Sequence, residues 1–179
     1  MALLPPAGHA RLPGLLVLAI TLGCTAVAAC GTARAGTPAS AGTPASGDGL
    51  CASAGRVDRL VVERVNQIPR NHQRFTFPAR VTVTGPAKAR SVARAVCALP
   101  PMPSGAMSCP ADWGIVYRLG FTADGRKLPV VSVEATGCGG VRGLGRSAWT
   151  ARSPGFWRLL GTAMDIDHAG PATFAPVPG

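Results

Sequence analysis

Six cysteines are the residues of this sequence with the greatest capacity for chemistry. They are Cys24, Cys30, Cys51, Cys97, Cys109 and Cys138. A thiolate can accept a lipid group, join a second cysteine or bind a metal ion. The spacing contains no CxxC pair with nearby histidines, so it argues against a zinc site and favours the first two kinds of chemistry.

Cys30 stands at the end of an apolar segment. Residues 12–29, LPGLLVLAITLGCTAVAA, carry no charge and follow the basic residue Arg11. Such a run ending in small residues is typical of a cleaved secretory signal peptide, and it is also just long enough to be an uncleaved membrane anchor. Residues 27–30, VAAC, resemble the lipobox of bacterial lipoproteins. This resemblance implies a signal peptide over residues 1–29 and a diacylglyceryl group on the Cys30 thiol.

The other cysteines fit an oxidising compartment. If Cys24 leaves with the signal peptide and Cys30 carries lipid, four cysteines remain, which is an even number suited to disulfides outside the cytoplasm. Four cysteines allow three pairings. The first choice is Cys97 with Cys109, closing a proline-rich loop, together with Cys51 with Cys138.

The chain after Cys30 is strongly basic. Arg11 is the only Lys or Arg before Cys30, so 17 of the 18 basic residues follow it, as do all eight acidic ones. This Arg-rich surface, including Arg90 and Arg94 one helical turn apart, could attract anionic lipid headgroups or cell-wall polymers, or be a solvated face. Nucleic acid is not an expected partner outside the cell.

The remaining candidates for chemistry have simpler structural interpretations. A ligand surface or a set of core anchors could be formed by the aromatic residues Trp113, Trp149, Phe156 and Trp157. A cation site or a solvated tail could be formed by Asp165, Asp167 and His168. An acid pair across strands, or two separate surface carboxylates, could be formed by Glu63 and Glu134. His72 lacks a recognisable nucleophile setting, residues 143–148, GLGRSA, fit a flexible loop, and no cofactor or metal site is predicted.

Periodicity predicts the elements that position these residues. Residues 56–67 and 74–85 are expected to pair as one hairpin, and residues 115–134 to form a second around ADGR. Helices are expected from Pro86 to the Pro100-Pro101 pair, and after Ser153 as N-cap. The predicted fold is α+β, a small antiparallel sheet of two hairpins with two helices on one face, stapled by disulfides.

The domain boundaries follow from composition. Residues 30–50 contain the repeat AGTPAS twice, which predicts a flexible tether. Residues 51–164 form the expected extracytoplasmic domain, and residues 165–179 a disordered tail.

The run from residue 74 to residue 138 resembles a family of uncharacterised lipoproteins from high-GC Gram-positive bacteria, and the likeness covers residues 56–160. It implies secretion and adds no activity. A second resemblance, to the subtilisin-inhibitor-like proteins, involves Cys109-Pro110, Asp124-Gly125 and Cys138. It implies a Cys109–Cys138 disulfide, and it implies that Ala111 and Asp112 lie on either side of the scissile bond presented to a protease.

These observations predict a non-enzymatic binding module, attached to the outer face of the cell membrane through lipid on Cys30, with an anionic envelope polymer or a protein as its partner. A secreted protease inhibitor of the subtilisin-inhibitor-like type is the alternative.

Overall fold

Two long strands, β1 (Val57–Asn66) and β3 (Ile115–Ala123), run antiparallel at the centre of the fold. The computed structural model describes residues 49–70 and 72–176. In β3, alternate residues from Ile115 to Ala123 point into the core and are buried, as the period of two predicts for a strand covered on one face.

The described residues form seven strands in a single antiparallel sheet, in the order β2-β1-β3-β5-β6-β7 with the short β4 also paired to β3. The additional strands are β2 (Arg80–Val83), β4 (Arg126–Lys127), β5 (Val131–Glu134), β6 (Gly140–Arg142) and β7 (Ala148–Trp149). The β3–β4 turn is Asp124-Gly125, with φ angles of 50° and 74°, which suit a tight hairpin. Both predicted hairpins are confirmed, and β6 and β7 extend the sheet beyond them.

Helices cover one face of the sheet. They are α1 (Leu50–Ser53), α2 (Pro86–Cys97), α3 (Pro154–Ala163) and α4 (Pro171–Phe174). In α2 the residues buried at helical spacing are Ala89, Val92, Ala93 and Val96. Ser153 occupies the N-cap position of α3 but makes no side-chain cap hydrogen bond. The predicted α+β fold with helices on one face of an antiparallel sheet is confirmed, and α1 and α4 are additional.

An aromatic cluster fills the core beneath β3. Its members are Phe77, Tyr117, Phe156, Trp157 and Phe174, all at most 9% exposed. Neighbouring rings lie between 5.1 and 6.5 Å apart, mostly edge-on or tilted, which is the preferred packing of aromatic quadrupoles.

The expectation of a disordered tail from residue 165 is wrong for residues 165–176. Phe174 of α4 is fully buried, and its carbonyl accepts a hydrogen bond from the Tyr117 hydroxyl at 3.0 Å. Gly161 of α3 allows Ala169 to pack directly against it. Burial of Phe174 and Ala169 therefore attaches this Pro- and Gly-containing segment to the core.

The four cysteines of the domain are all in disulfides, but the preferred pairing is wrong. Cys51 is bonded to Cys97, and Cys109 to Cys138. Cys51 lies in α1, a helix too short to predict from sequence, which packs beside α2.

The chain after α2 explains why Cys97 and Cys109 do not meet. Pro100 accepts a hydrogen bond from the Trp149 amide, and Pro101 forms a β-bridge with Ala148. The proline-rich segment thus extends along β7 instead of closing on itself, and Cys109 reaches the turn that follows β5.

The expected signal peptide over residues 1–29, Cys30 with its expected lipid group, and most of the expected tether lie outside the described residues, as does Cys24. Within residues 49–70 and 72–176, none of the helices combines the length and the hydrophobicity needed to cross a bilayer.

Candidate binding face

Within residues 49–70 and 72–176, the face of the sheet opposite the helices is not covered by another element, and we call it the open face. Because strand residues alternate, the positions between the buried ones in β1 and β3 project outward. The basic side chains on this face are Arg59, Arg80, Arg118, Lys127 and Arg142, and the acidic ones are Glu63 and Glu134. The formal charge of this set is positive.

Strand register arranges the part of the open face around the groove in three rows, and a fourth row, Val65–Val116–Glu134, lies beyond them. One row crosses from Arg80 through Glu63 to Arg118. The next crosses from Thr82 on β2 through Val61 to Gly120, and only Val61 and Gly120 of these line the groove. Residues of adjacent rows on a strand are two positions apart, which is about 6.7 Å.

The third row contains Arg59, Thr122 and Lys127, on β1, β3 and β4. Two cationic side chains therefore flank a hydroxyl at one end of the face.

Three of the arginines lie beside glutamates. Glu63 is 3.8 Å from Arg80 and 4.0 Å from Arg118, and Glu134 is 3.1 Å from Arg142. The arginine side chains are more than half exposed, so these pairs stabilise the fold little and exchange readily with other anions. A guanidinium group has five N–H donors, and most of them remain available to a ligand.

Arg59 and Lys127 differ from those arginines. Both are exposed, and neither has an ion-pair partner within the part of the chain that the structure describes. The row that contains Thr122 therefore has the least compensated positive charge of the face.

A groove of about 440 Å³ runs across these rows. Its charged lining consists of Arg59, Glu63, Arg80, Arg118 and Lys127. Its middle is apolar and is lined by Val61, Gly120, Leu128 and Val130. A second hollow, lined partly by Ser132, Glu134 and Arg142, shares Arg118 with the first and extends the concave surface toward β6.

Gly120 lines the groove and contributes no side chain to it. This glycine lies inside β3 and its own φ is not positive. A Cβ at this position would have only the Val61 carbonyl oxygen within 4 Å, at 3.8 Å. Neither backbone conformation nor packing within the described residues requires glycine at this position. A glycine inside a strand weakens it and often marks a place where a ligand approaches closely.

The aromatic residues proposed as a ligand surface do not form one. Phe156 and Trp157 are buried, as the core interpretation predicted. Trp149 donates its indole N–H to the Cys138 carbonyl. Trp113 is 38% exposed and lies outside the groove lining. The larger groove is therefore lined by basic residues and not by tryptophan.

The basic residues singled out from the sequence lie elsewhere. Arg90 and Arg94 belong to α2, whose buried side packs on the helical face of the sheet. The cations of the open face went unrecognised, although their signal is present as basic residues at outward positions of the strand sequences VDRLVVER and IVYRLGFT.

The acidic candidates do not meet. Glu63 and Glu134 lie on strands separated by β3, and each pairs with arginine, as the surface interpretation predicted. Asp165 pairs with Lys88, and His72 is exposed. Among the described residues, no three His, Cys, Asp or Glu side chains come close enough together to hold a metal ion.

Residues 109–113 form an exposed loop that is held in place. Asp112 accepts hydrogen bonds from the Thr136 hydroxyl at 2.7 Å and the Gly114 amide at 2.8 Å. The Ala111 carbonyl accepts one from the Gly137 amide at 3.3 Å. Together with the Cys109–Cys138 disulfide, these bonds fix a protruding loop to the end of β5.

Burial has one clear effect on a titratable group. The Tyr117 phenol, which lies in the core, has its pKa raised by desolvation, and the nearby Arg64 guanidinium partly opposes that shift. The guanidinium of Arg64 stacks 3.7 Å from the Phe75 ring and donates to the Phe77 carbonyl, so this arginine is a structural group.

No protein-family model, curated protein or solved structure matches this chain.

Proposed function

We propose that this protein is a non-enzymatic binding module, held at the outer face of the cell membrane by lipid on Cys30, whose open sheet face binds an anionic component of the cell envelope. The observation that supports the proposal is the groove over Gly120, a concave surface with basic side chains at both ends. Anionic groups are the ligands that such a surface attracts.

The charges on the groove are suited to exchange. An incoming carboxylate or phosphate can pair at once with Arg59 and Lys127, which have no ion partner to give up within the described residues. It can compete for Arg80 and Arg118, whose shared contacts with Glu63 are 3.8 and 4.0 Å long. Arginine also offers paired donors that match two oxygens of one anion.

A charge-reversal pair tests the binding face. The full chain with its lipid removed and carrying Arg59→Glu and Lys127→Glu is expected to bind purified cell walls or anionic vesicles at least about tenfold more weakly, since each cation lost removes a charge-assisted contact. Arg90→Glu with Arg94→Glu makes the same change of charge on α2 and is the matched control. Equal losses in both variants, or no retention of the unmodified chain, would argue against the proposed face.

The anchor is tested separately. Cys30→Ala removes the thiol that would carry the diacylglyceryl group, and two acyl chains are what stable membrane attachment requires. The variant is expected to appear in the soluble fraction or to be mislocalised. Unchanged membrane retention would rule out lipidation of Cys30 as the means of attachment.

A protease inhibitor is the second candidate, and a specific observation favours it. The Cys109–Cys138 disulfide is the pairing that the likeness to subtilisin-inhibitor-like proteins implies. The exposed residues Ala111 and Asp112 lie in a loop braced by Thr136, and a rigid protruding loop is a suitable shape for occupying a protease cleft.

Titration of a subtilisin-type protease with the full chain tests this second function. Inhibition at nanomolar concentrations that weakens in Thr136→Val, where the brace on Asp112 is lost, would support it. Rapid cleavage within residues 109–113 without inhibition would contradict it.

A further inference from the structure

We infer that the groove recognises an extended acidic peptide segment of a protein partner, with an apolar side chain between two acidic ones. This inference rests on the proposed function and specifies the ligand of the same face. Its basis is the order of the three rows, in which cations stand at both ends and an apolar depression lies between them.

The two ends of the groove attract negative charge unequally. At one end, Arg59 and Lys127 flank the Thr122 hydroxyl and have no ion pair within the described residues. At the other end, Arg80 and Arg118 share the single carboxylate of Glu63, which leaves one positive charge in excess.

The middle row is suited to an apolar group. Val61 faces the open side, Val130 is 42% exposed, and Gly120 contributes no side chain between them. An apolar group seated there would cover valine surface that is now in water, which is favourable in proportion to the area buried. A uniformly hydrophilic polyanion would leave this surface unused.

The spacing of the rows matches that of a strand. Adjacent rows are two residues apart, about 6.7 Å, and the outer rows are about 13 Å apart. Side chains at positions i, i+2 and i+4 of an extended peptide project from one side with the same spacing. A segment with acidic residues at i and i+4 and an apolar residue at i+2 is therefore complementary to the groove.

Gly120→Leu tests the middle of the groove. A Cβ at this position would have only the Val61 carbonyl oxygen within 4 Å, at 3.8 Å, so the leucine side chain has room to extend into the groove and fill it. Gly120→Ser is the matched control, since its small side chain leaves most of the depression open.

The probes are two blocked pentapeptides of equal composition, titrated calorimetrically into the full chain in a non-ionic detergent. One has the order glutamate, serine, leucine, serine, glutamate, and the other has leucine first and both glutamates after it. The first is expected to bind at least about tenfold more tightly, the discrimination that seating one apolar side chain supplies. Gly120→Leu is expected to abolish that preference, and Gly120→Ser to retain it.

Inorganic polyphosphate separates failure of this inference from failure of the proposed function. If polyphosphate binds but the two peptides bind equally to the unmodified chain, the face binds anions without distinguishing peptide sequences. That result overturns the inference and leaves the proposed function standing. If neither peptide nor polyphosphate binds, the proposed function is overturned with it.

Discussion

At the scale of single residues, Tyr117 connects the sheet to the last helix. Its ring packs edge-on against Trp157 and Phe174, and its hydroxyl donates to the Phe174 carbonyl. Burial of the phenol raises its pKa above the ordinary value of about 10, because the ionised form would lose its hydration in the core.

A raised pKa in the folded state makes stability depend on alkaline pH. The unfolded chain loses the Tyr117 proton near pH 10, whereas the folded chain keeps it. The contribution of Tyr117 to the free energy of unfolding is therefore fully present below about pH 10 and is lost as pH rises further. We expect Tyr117→Phe to reduce that alkaline loss of unfolding free energy, measured by urea denaturation at several pH values. Tyr117 is the one tyrosine in the chain, so its absorbance reports its titration directly. Titration near pH 10 in the folded protein would contradict the prediction.

Thr136 has a comparable role at the protruding loop. Its hydroxyl donates to Asp112 and accepts from the amides of Trp113 and Ile115, at 3.2 and 3.3 Å. We expect Thr136→Val, which keeps the shape but removes the hydroxyl, to cost about 1–3 kcal/mol of unfolding free energy. Thr136→Ser keeps the hydroxyl and should cost less. Equal stability of the valine variant and the unmodified chain in denaturant would show that the network does not hold the loop.

At the scale of elements, the contact between α3 and the segment after it depends on Gly161. A Cβ on this residue would lie 2.0 Å from the Cβ of Ala169, so α3 and the following segment would have to separate. We expect Gly161→Ala to destabilise the protein by about 1–3 kcal/mol through overpacking.

Gly155 provides the matched control in the same helix. Nothing lies within 4 Å of a Cβ placed there, so Gly155→Ala should be neutral or stabilise by up to about 1 kcal/mol. Thermal unfolding of both variants measures the difference. Equal midpoints for Gly161→Ala and Gly155→Ala would mean that a Cβ at residue 161 meets no packed neighbour, and so that residues 165–176 do not pack on α3.

The long elements were predictable because their patterns are strong. In β3 the apolar residues alternate along all nine residues of the strand. In α2 the helical spacing of Ala89, Val92 and Val96 extends over about two turns. The strands β6 and β7 have three and two residues in a Gly-rich segment, and α1 has four, so no period develops in them. Their position is set by tertiary contacts, which a single sequence does not reveal.

The candidate site was likewise predictable only in part. That β1 and β3 have outward basic residues is visible in the sequence, but the row that joins Arg59 to Lys127 depends on register across three strands. One residue of slip would move each of these side chains to the other face of the sheet. Register is thus the information that the sequence patterns lacked.

At the scale of the whole molecule, the two disulfides hold different parts of the fold. Cys51–Cys97 joins α1 to the end of α2, across 46 residues of sequence. Cys109–Cys138 ties the protruding loop to the turn after β5, across 29 residues. Both lie away from the groove lining, so stability and binding at the open face can be tested independently.

Removing each disulfide as a pair of alanines should lower the unfolding free energy by about 4 kcal/mol, because loops of these lengths have similar closure entropies in the unfolded chain. Chemical denaturation of Cys51→Ala with Cys97→Ala, and of Cys109→Ala with Cys138→Ala, measures the two losses. Because the groove lies on β1, β2, β3 and β4, the second variant should keep its affinity for polyphosphate while losing any inhibition of a protease. Loss of polyphosphate binding in a variant that remains folded would mean that the loop, and not the open face of the sheet, carries the anion site.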